Sequence, residues 1–337
     1  MVPGQRMDLK DKTLTLKGFR FLFEIEKKPH KGLLTVEWVI LGYIVLTLLL
    51  TFFGYTKLQN PESLVWGRIR VVVLTCAMWA VYRMIPCRFT HLCRISAQLL
   101  LLVWWYPDTY ELNKLFPNLD HLFASYEQAI FGCQPALLFS QQITDIVSSE
   151  LMYLGYVSYY PLIGIVALYY FFRRYSEFNR TVFVILTSFF IYYIIFIFLP
   201  VTGPQYYYLA AGMDNINNGI FPNVHEYFYT HMEALPMGGN SDGLIYQAYL
   251  DSHTAGERPT GAFPSSHVGI CTVLMLLAWR SRSKGLTLFI LPFFVLMSLA
   301  TVYIRAHYVI DTIAGLVSGI LFYAICQTYW TKAKRTY

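Results

Sequence analysis

The chain has 337 residues, of which 56% are hydrophobic and only 14% charged, with a mean hydropathy of +0.44. A charged fraction so far below the roughly 25% of soluble domains excludes a water-soluble globule, because so little polar sequence could not cover its apolar runs. The net charge of +6 follows the loop pattern described below and is not a nucleic-acid footprint.

In chain order, residues 1–32 carry eight Lys or Arg. The stretch is too long and too charged for the n-region of a signal peptide, and no small-residue cleavage site follows it. It reads as a basic cytoplasmic tail, with GFRFLFEIE at 18–26 lying along the membrane surface. Long uncharged runs follow at about 33–56, 68–86, 92–106, 151–172, 181–199, 265–279, 286–304 and 308–329. They predict an all-α, polytopic helical bundle of about eight spans. No internal repeat or low-complexity stretch divides it, so 33–337 reads as one membrane domain.

Cytoplasmic loops accumulate Lys and Arg. With the N-terminus inside, 20 of the 26 basic residues fall inside, which predicts that both termini are cytoplasmic. Lys57, Arg68 and Arg70 then read as headgroup anchors on the outer side. Two acidic segments, 107–150 and 201–263, face the periplasm, lumen or cell exterior. The first contains an interfacial helical stretch, LDHLFASYEQAIFG. The second is long and rich in Tyr, and it reads as a cover over the outer face, with Tyr206, Tyr207 and Tyr208 as interfacial aromatics and His225, His231 and His253 as surface or loop-packing residues. The six cysteines show no metal-ligand spacing, and no external disulfide is predicted.

Polar groups at the edge of membrane helices are costly and mark function. Asp311 lies one turn into the last run, four residues after His307, so the two share a helix face. A carboxylate beside an imidazole fixes its tautomer and supports charge on the ring, as an activated nucleophile or base requires. A pair at this spacing would also serve simply to cap the last helix. His267 shifts that balance. It opens the sixth run, and the hairpin of runs six and seven returns positions 267 and 307 to one surface. Arg258 and Arg305 lie nearby in sequence and suit phosphate oxygens. The helix start after Pro264 offers backbone N–H groups to an anion, with Ser265 and Ser266 as hydroxyl donors and Gly261 leading into it. An enzyme reading further requires the two histidines to flank a space the size of one phosphate, lined by Arg.

PSSH at 264–267, followed by YIRAHYVIDTIAG at 303–315, resembles the type 2 phosphatidic acid phosphatase superfamily. The resemblance covers about 55 residues of the catalytic region 258–315 and implies a six-span core. It implies that His307 attacks phosphorus to form a phosphohistidine, that Asp311 orients it, and that His267 protonates the leaving alcohol. It implies neither metal nor cofactor. The family's Lys-containing first motif is missing, and Thr301 stands where its Arg before the catalytic His would be. The branch that lacks the Lys motif includes the inositol phosphorylceramide synthases. GAFPSSH, LPVTGPQYYY at 199–208 and LDHLFASYEQAIFGCQP at 119–135 are similar to it.

The expected activity is therefore that of a lipid phosphatase or phosphotransferase acting on a phospholipid or sphingolipid at the outer face. Water or an alcohol as second nucleophile separates the two. A proton-coupled transporter or a binding protein is the reading from another class. It calls for further buried acids along a path, where the first seven runs offer only Glu37 near an end.

Overall fold

The computed structural model describes residues 20–253 and 258–336, so residues 1–19, most of the basic tail and the first two residues of 18–26, lie outside the described residues. The described chain is helical, and its β pairing is one isolated bridge between Ile25 and Cys87. We number the helices α1 (Thr35–Phe53), α2 (Pro61–Met84), α3 (Arg88–Asn113), α4 (Asp120–Phe131), α5 (Pro135–Gln142), α6 (Ile146–Val157) and α7 (Tyr159–Arg173). There follow α8 (Tyr175–Phe198), α9 (Pro204–Ala211), α10 (Met213–Asn217), α11 (Leu244–His253), α12 (Ser266–Arg280), α13 (Lys284–Tyr303) and α14 (Val309–Thr336).

All eight predicted runs fall on helices. Five helices, α1, α2, α8, α13 and α14, are long and apolar enough to cross a membrane on their own. The run 151–172 is broken into α6 and α7, which meet at Ser158 with a bend of 51°. The run 265–279 is the 15-residue α12. The run 92–106 is the middle of α3, which continues through Pro107 to Asn113.

α8 is the central post. Phe178, Val182, Ile185, Phe189 and Phe196 are buried along it, and α1, α3, α7, α12 and α14 pack around it. α12 and α14 lie closest of all. A Cβ at Gly319 would stand 2.5 Å from the Gly269 carbonyl oxygen, so only glycine lets the backbones approach this far. That contact sets the two helices that carry the predicted site side by side. Alternating helix directions put residues 35, 84, 88, 173, 280 and 284 at one end of the bundle and His267 and His307 at the other.

Two expectations are corrected, for Arg68 and for the three tyrosines at 206–208. The described part of 18–26 packs against the bundle. It docks on the ends of α2, α3 and α8, where Glu26 accepts hydrogen bonds from Tyr82 (2.5 Å) and Tyr175 and pairs with His91 (3.1 Å), while Glu24 pairs with Arg88 (2.9 Å). Arg68 is not a headgroup anchor. It is buried and paired with Asp108, which the continuation of α3 past Pro107 brings opposite it. Arg94 and Glu37 form a second buried pair, because an intramembrane charge needs a partner. Tyr206, Tyr207 and Tyr208 are buried rather than interfacial, with Tyr207 donating to the Pro222 carbonyl (2.9 Å) and Tyr208 to Gln134 (2.6 Å).

The segment 107–150 and the described parts of 201–263 close over the histidine end. α4 is amphipathic. It exposes Leu122, Tyr126 and Ile130 and buries Asp120, Ala124 and Glu127 on the other side. α11 is strapped to α6 by Glu150, which accepts the free N–H groups of Ile245 (2.9 Å) and Tyr246 (3.1 Å) at its first turn.

Candidate active site

His307 sits in the tight turn between α13 and α14. Its backbone N–H donates to the Thr301 carbonyl (3.0 Å), and Arg305 takes the left-handed conformation (φ 68°) that lets the chain reverse. The imidazole is buried, at 3% exposure. Its Nδ1 lies 2.8 Å from the Ala262 carbonyl oxygen, which can only accept, so Nδ1 carries the proton. Nε2 then keeps its lone pair and points at His267 Nδ1, 3.5 Å away.

The backbone carbonyl, not Asp311, is thus the nearest acceptor for the ring. Asp311 Oδ2 stands 3.7 Å from Nδ1 and accepts the backbone N–H of Tyr308 at 2.9 Å. The carboxylate closes the first turn of α14 and holds the histidine turn from below, while its other oxygen is buried with no hydrogen-bond partner. The Asp311 carbonyl accepts the N–H of Ser265 (3.0 Å), which locks the start of α14 to the start of α12.

His267, in the first turn of α12, is half-buried. Its ring stacks on Tyr156 (centroids 4.6 Å, 25°) and leans on Tyr159 (4.4 Å). Tyr159 donates to the Ser266 carbonyl (3.3 Å). The two imidazoles are already within contact range, so the phosphate-sized space expected between them is not there.

The remaining predicted residues take different places. Ser265 is the N-cap of α12, its hydroxyl oxygen accepting the N–H of Val268 (3.4 Å), and Pro264 precedes it instead of opening the helix. Ser266 is buried in the first turn. Gly261 has φ 74° and lies against the Phe196 ring, and it sets the direction of the Ala262 carbonyl. Arg305 turns its guanidinium away from a direct clamp on the histidines. It donates to the Pro236 carbonyl (2.9 Å) and to Ser140 (3.2 Å), and its Nε is buried without a partner. Arg258 begins the strand of chain that passes α3, where Tyr106 and Asn113 hold Thr260 (2.8 and 2.7 Å). Thr301, at the family's Arg position, pairs with Thr312 (3.2 Å).

Two buried acids were not singled out from the sequence. Asp120 is fully buried and accepts from Thr202 N–H (2.7 Å), Gly203 N–H (2.9 Å), Asn118 (2.7 Å) and the Tyr308 hydroxyl (3.2 Å). Burial pushes its carboxyl above the ordinary range, and the bonds from Thr202, Asn118 and Gly203 draw it part of the way back. Glu127, seven residues on along the same helix face, accepts the N–H groups of Val309 (2.9 Å) and Ile310 (3.3 Å). It supplies the N-terminal cap that the sequence of α14 lacks. Burial pushes its carboxyl up to about 7 despite those two bonds, and nearby Asp311 adds to the rise. The only sequence signal was their i, i+7 spacing on an otherwise amphipathic helix.

Among the described residues, no group of three His, Cys, Asp or Glu side chains stands close enough to hold a metal ion. The sequence profile of the PAP2 superfamily matches residues 122–325, from α4 to α14. The chain belongs to the PAP2 superfamily. Members of this superfamily, the type 2 phosphatidic acid phosphatases and their relatives, are generally phosphatases or phosphotransferases acting on lipid phosphates in membranes. No curated protein and no solved structure matches the chain. The PAP2 match takes in Glu127, both histidines and Asp311, and it leaves out Asp120 and α1–α3.

Proposed function

We propose that this PAP2 protein transfers the phosphoryl group of a lipid phosphate or phosphodiester through a phosphohistidine on His307. The observation that carries the reading is the Ala262 carbonyl on Nδ1, which leaves the lone pair of Nε2 facing His267. Nε2 attacks phosphorus, and the phosphorus–oxygen bond to the leaving alcohol breaks. His267 gives that oxygen a proton. In the second half His267 takes a proton back from water or an acceptor alcohol, whose oxygen attacks phosphorus and breaks the phosphorus–nitrogen bond, restoring His307. Asp311 and the Ala262 carbonyl hold the ring and stabilise the charge it acquires. Ser265, Ser266, Pro264 and Gly261 shape the start of α12, whose free N–H groups face the phosphate oxygens. Arg305, from the histidine turn, and Arg258, from the covering segment, contribute positive charge.

The basic residue pattern supports placing both termini in the cytoplasm and the histidines on the periplasmic, lumenal or extracellular face. Transfer to an alcohol, as in the inositol phosphorylceramide synthase branch and with a sphingolipid acceptor, is the second reading. It is favoured by the tyrosines packed on His267 and by the strapping of α11 over them, since a site that excludes water favours an alcohol nucleophile.

The test is turnover of a phospholipid panel by purified protein in EDTA, with and without an alcohol acceptor. Acid-labile label on His307 and its loss in His307→Ala support the mechanism. Full activity in His307→Ala sinks it. Phosphate release marks a phosphatase, and a new phospholipid that appears only with acceptor marks a transferase.

A further inference from the structure

The end of the bundle opposite the histidines carries a groove that the proposed reaction does not use. Its volume is 1180 Å³, and it lies between the α7–α8 junction and the α12–α13 turn. Arg174, Arg280, Arg282 and Lys284 line it, and Glu177 is the one acid among the lining residues. The salt bridges at the groove all converge on that single carboxylate, from Arg174 (3.1 Å), Arg180 and Arg280 (3.9 Å). Arg282 and Lys284 are exposed and enter none of them. The groove therefore holds a large excess of positive charge in a concave site.

Two further observations define what would neutralise it. The first is the start of α13. Ser283 caps Leu286 N–H (3.3 Å), while Lys284 and Gly285 head a 20-residue helix whose dipole favours an anion. The second is the apolar wall. Trp279 and Leu288 line the same groove and are 70% and 67% exposed, and Phe289 and Leu291 continue the exposed face along α13. An aromatic at the rim and aliphatic side chains below it form a seat for acyl chains under a headgroup. The wall continues the apolar face of a candidate membrane span, so acyl chains lying on it would bring a headgroup to the cations.

We propose that this groove binds an anionic phospholipid, with its phosphate against Arg280, Arg282, Lys284 and the start of α13 and its acyl chains along Leu288. The site lies in the leaflet opposite the histidines, so it is separate from the substrate site. Basic pockets between membrane helices recognise such headgroups through charge and backbone N–H groups together.

The test uses full-length protein in nanodiscs of phosphatidylcholine with or without phosphatidylserine, comparing wild type with the triple variant Arg280→Gln, Arg282→Gln, Lys284→Gln. Retained lipid is read by native mass spectrometry and stability by thermal melting. A charge-retaining variant, Arg282→Lys with Lys284→Arg, controls for folding. Wild type and the charge-retaining variant should keep the anionic lipid and melt higher in its presence. The triple variant should lose it, with retention weakened about a hundredfold for three charges at about fivefold each. Its turnover in neutral nanodiscs should match wild type. Equal retention by all three proteins overturns the proposal. So does equal stabilisation by inorganic phosphate, which would make the groove a site for the free anion.

Discussion

The Glu127 carboxylate accepts the backbone N–H of Val309 at 2.9 Å, so an acid on the amphipathic helix α4 caps the helix that begins two residues after His307. The same helix face presents Asp120 to the Tyr308 hydroxyl and to the turn at Thr202 and Gly203. α4 thus braces the histidine turn at two points. Glu127→Ala should lower kcat by about tenfold to a hundredfold, because a small displacement of Nε2 is enough for that. KM should change little, since Glu127 is a positioning residue with no substrate contact. Loss of two charge-assisted bonds should also cost about 1.5–3 kcal/mol of stability. A drop in stability with kcat unchanged would show that the brace is structural only.

The brace should also titrate. Burial raises the Glu127 carboxyl from 4.5 to about 7. The folded protein then holds a proton that the unfolded chain releases, so this contribution to stability is complete below 4.5 and is lost as pH rises through about 7. Thermal melting in detergent should therefore fall across that window. Glu127→Gln mimics the protonated acid and should flatten the fall. An equally steep profile in the variant would assign the slope to another group.

His267 should matter in proportion to the basicity of the leaving group. Its Nδ1 lies 3.5 Å from Nε2 of His307, and in the proposed mechanism it protonates the departing oxygen once phosphate has entered between the two rings. His267→Ala should slow hydrolysis of an alkyl phosphate ester by about 10²–10⁴-fold. A nitrophenyl ester, whose oxygen leaves without a proton, should lose far less. Equal losses on the two substrates would remove the general-acid role. Tyr156→Leu, which removes the stacked ring, should produce a smaller and leaving-group-independent effect.

How much of this could be read from the chain depends on what each feature rests on. The eight apolar runs and the meeting of His267 with His307 follow from composition and from the return of a helical hairpin, both local properties. The Ala262 carbonyl has no residue signature, so the orienting role fell to Asp311, which the structure sets at 3.7 Å. Glu127 lies 182 residues from Val309, and its capping role exists only after α4 has packed. Arg68 read as a headgroup anchor because it opens an apolar run on the outer side, and the apolar run 92–106 stops short of Asp108. α3 instead continues, and Asp108 reaches Arg68 inside the bundle. Long-range polar pairs of this kind leave no periodicity to detect.

Gly261 ties these elements together and gives a direct test of the carbonyl. Its φ of 74° suits glycine, and a Cβ there would meet the Phe196 ring at 2.8 Å. The next residue is held by a hydrogen bond from Ala262 N–H to the Val201 carbonyl (2.8 Å). Gly261→Ala must therefore strain the backbone, by about 1–2 kcal/mol for the left-handed conformation alone, or shift the Ala262 carbonyl away from Nδ1. A shifted carbonyl lets the ring change tautomer and turns the lone pair away from phosphorus. The variant should lose kcat by about tenfold or more and accumulate less phosphohistidine, at a modest cost in melting temperature. Phe196→Leu makes room for the added methyl and should recover stability, but not the tautomer if the backbone has moved. Wild-type kcat in Gly261→Ala would show that the Ala262 carbonyl does not set the nucleophile.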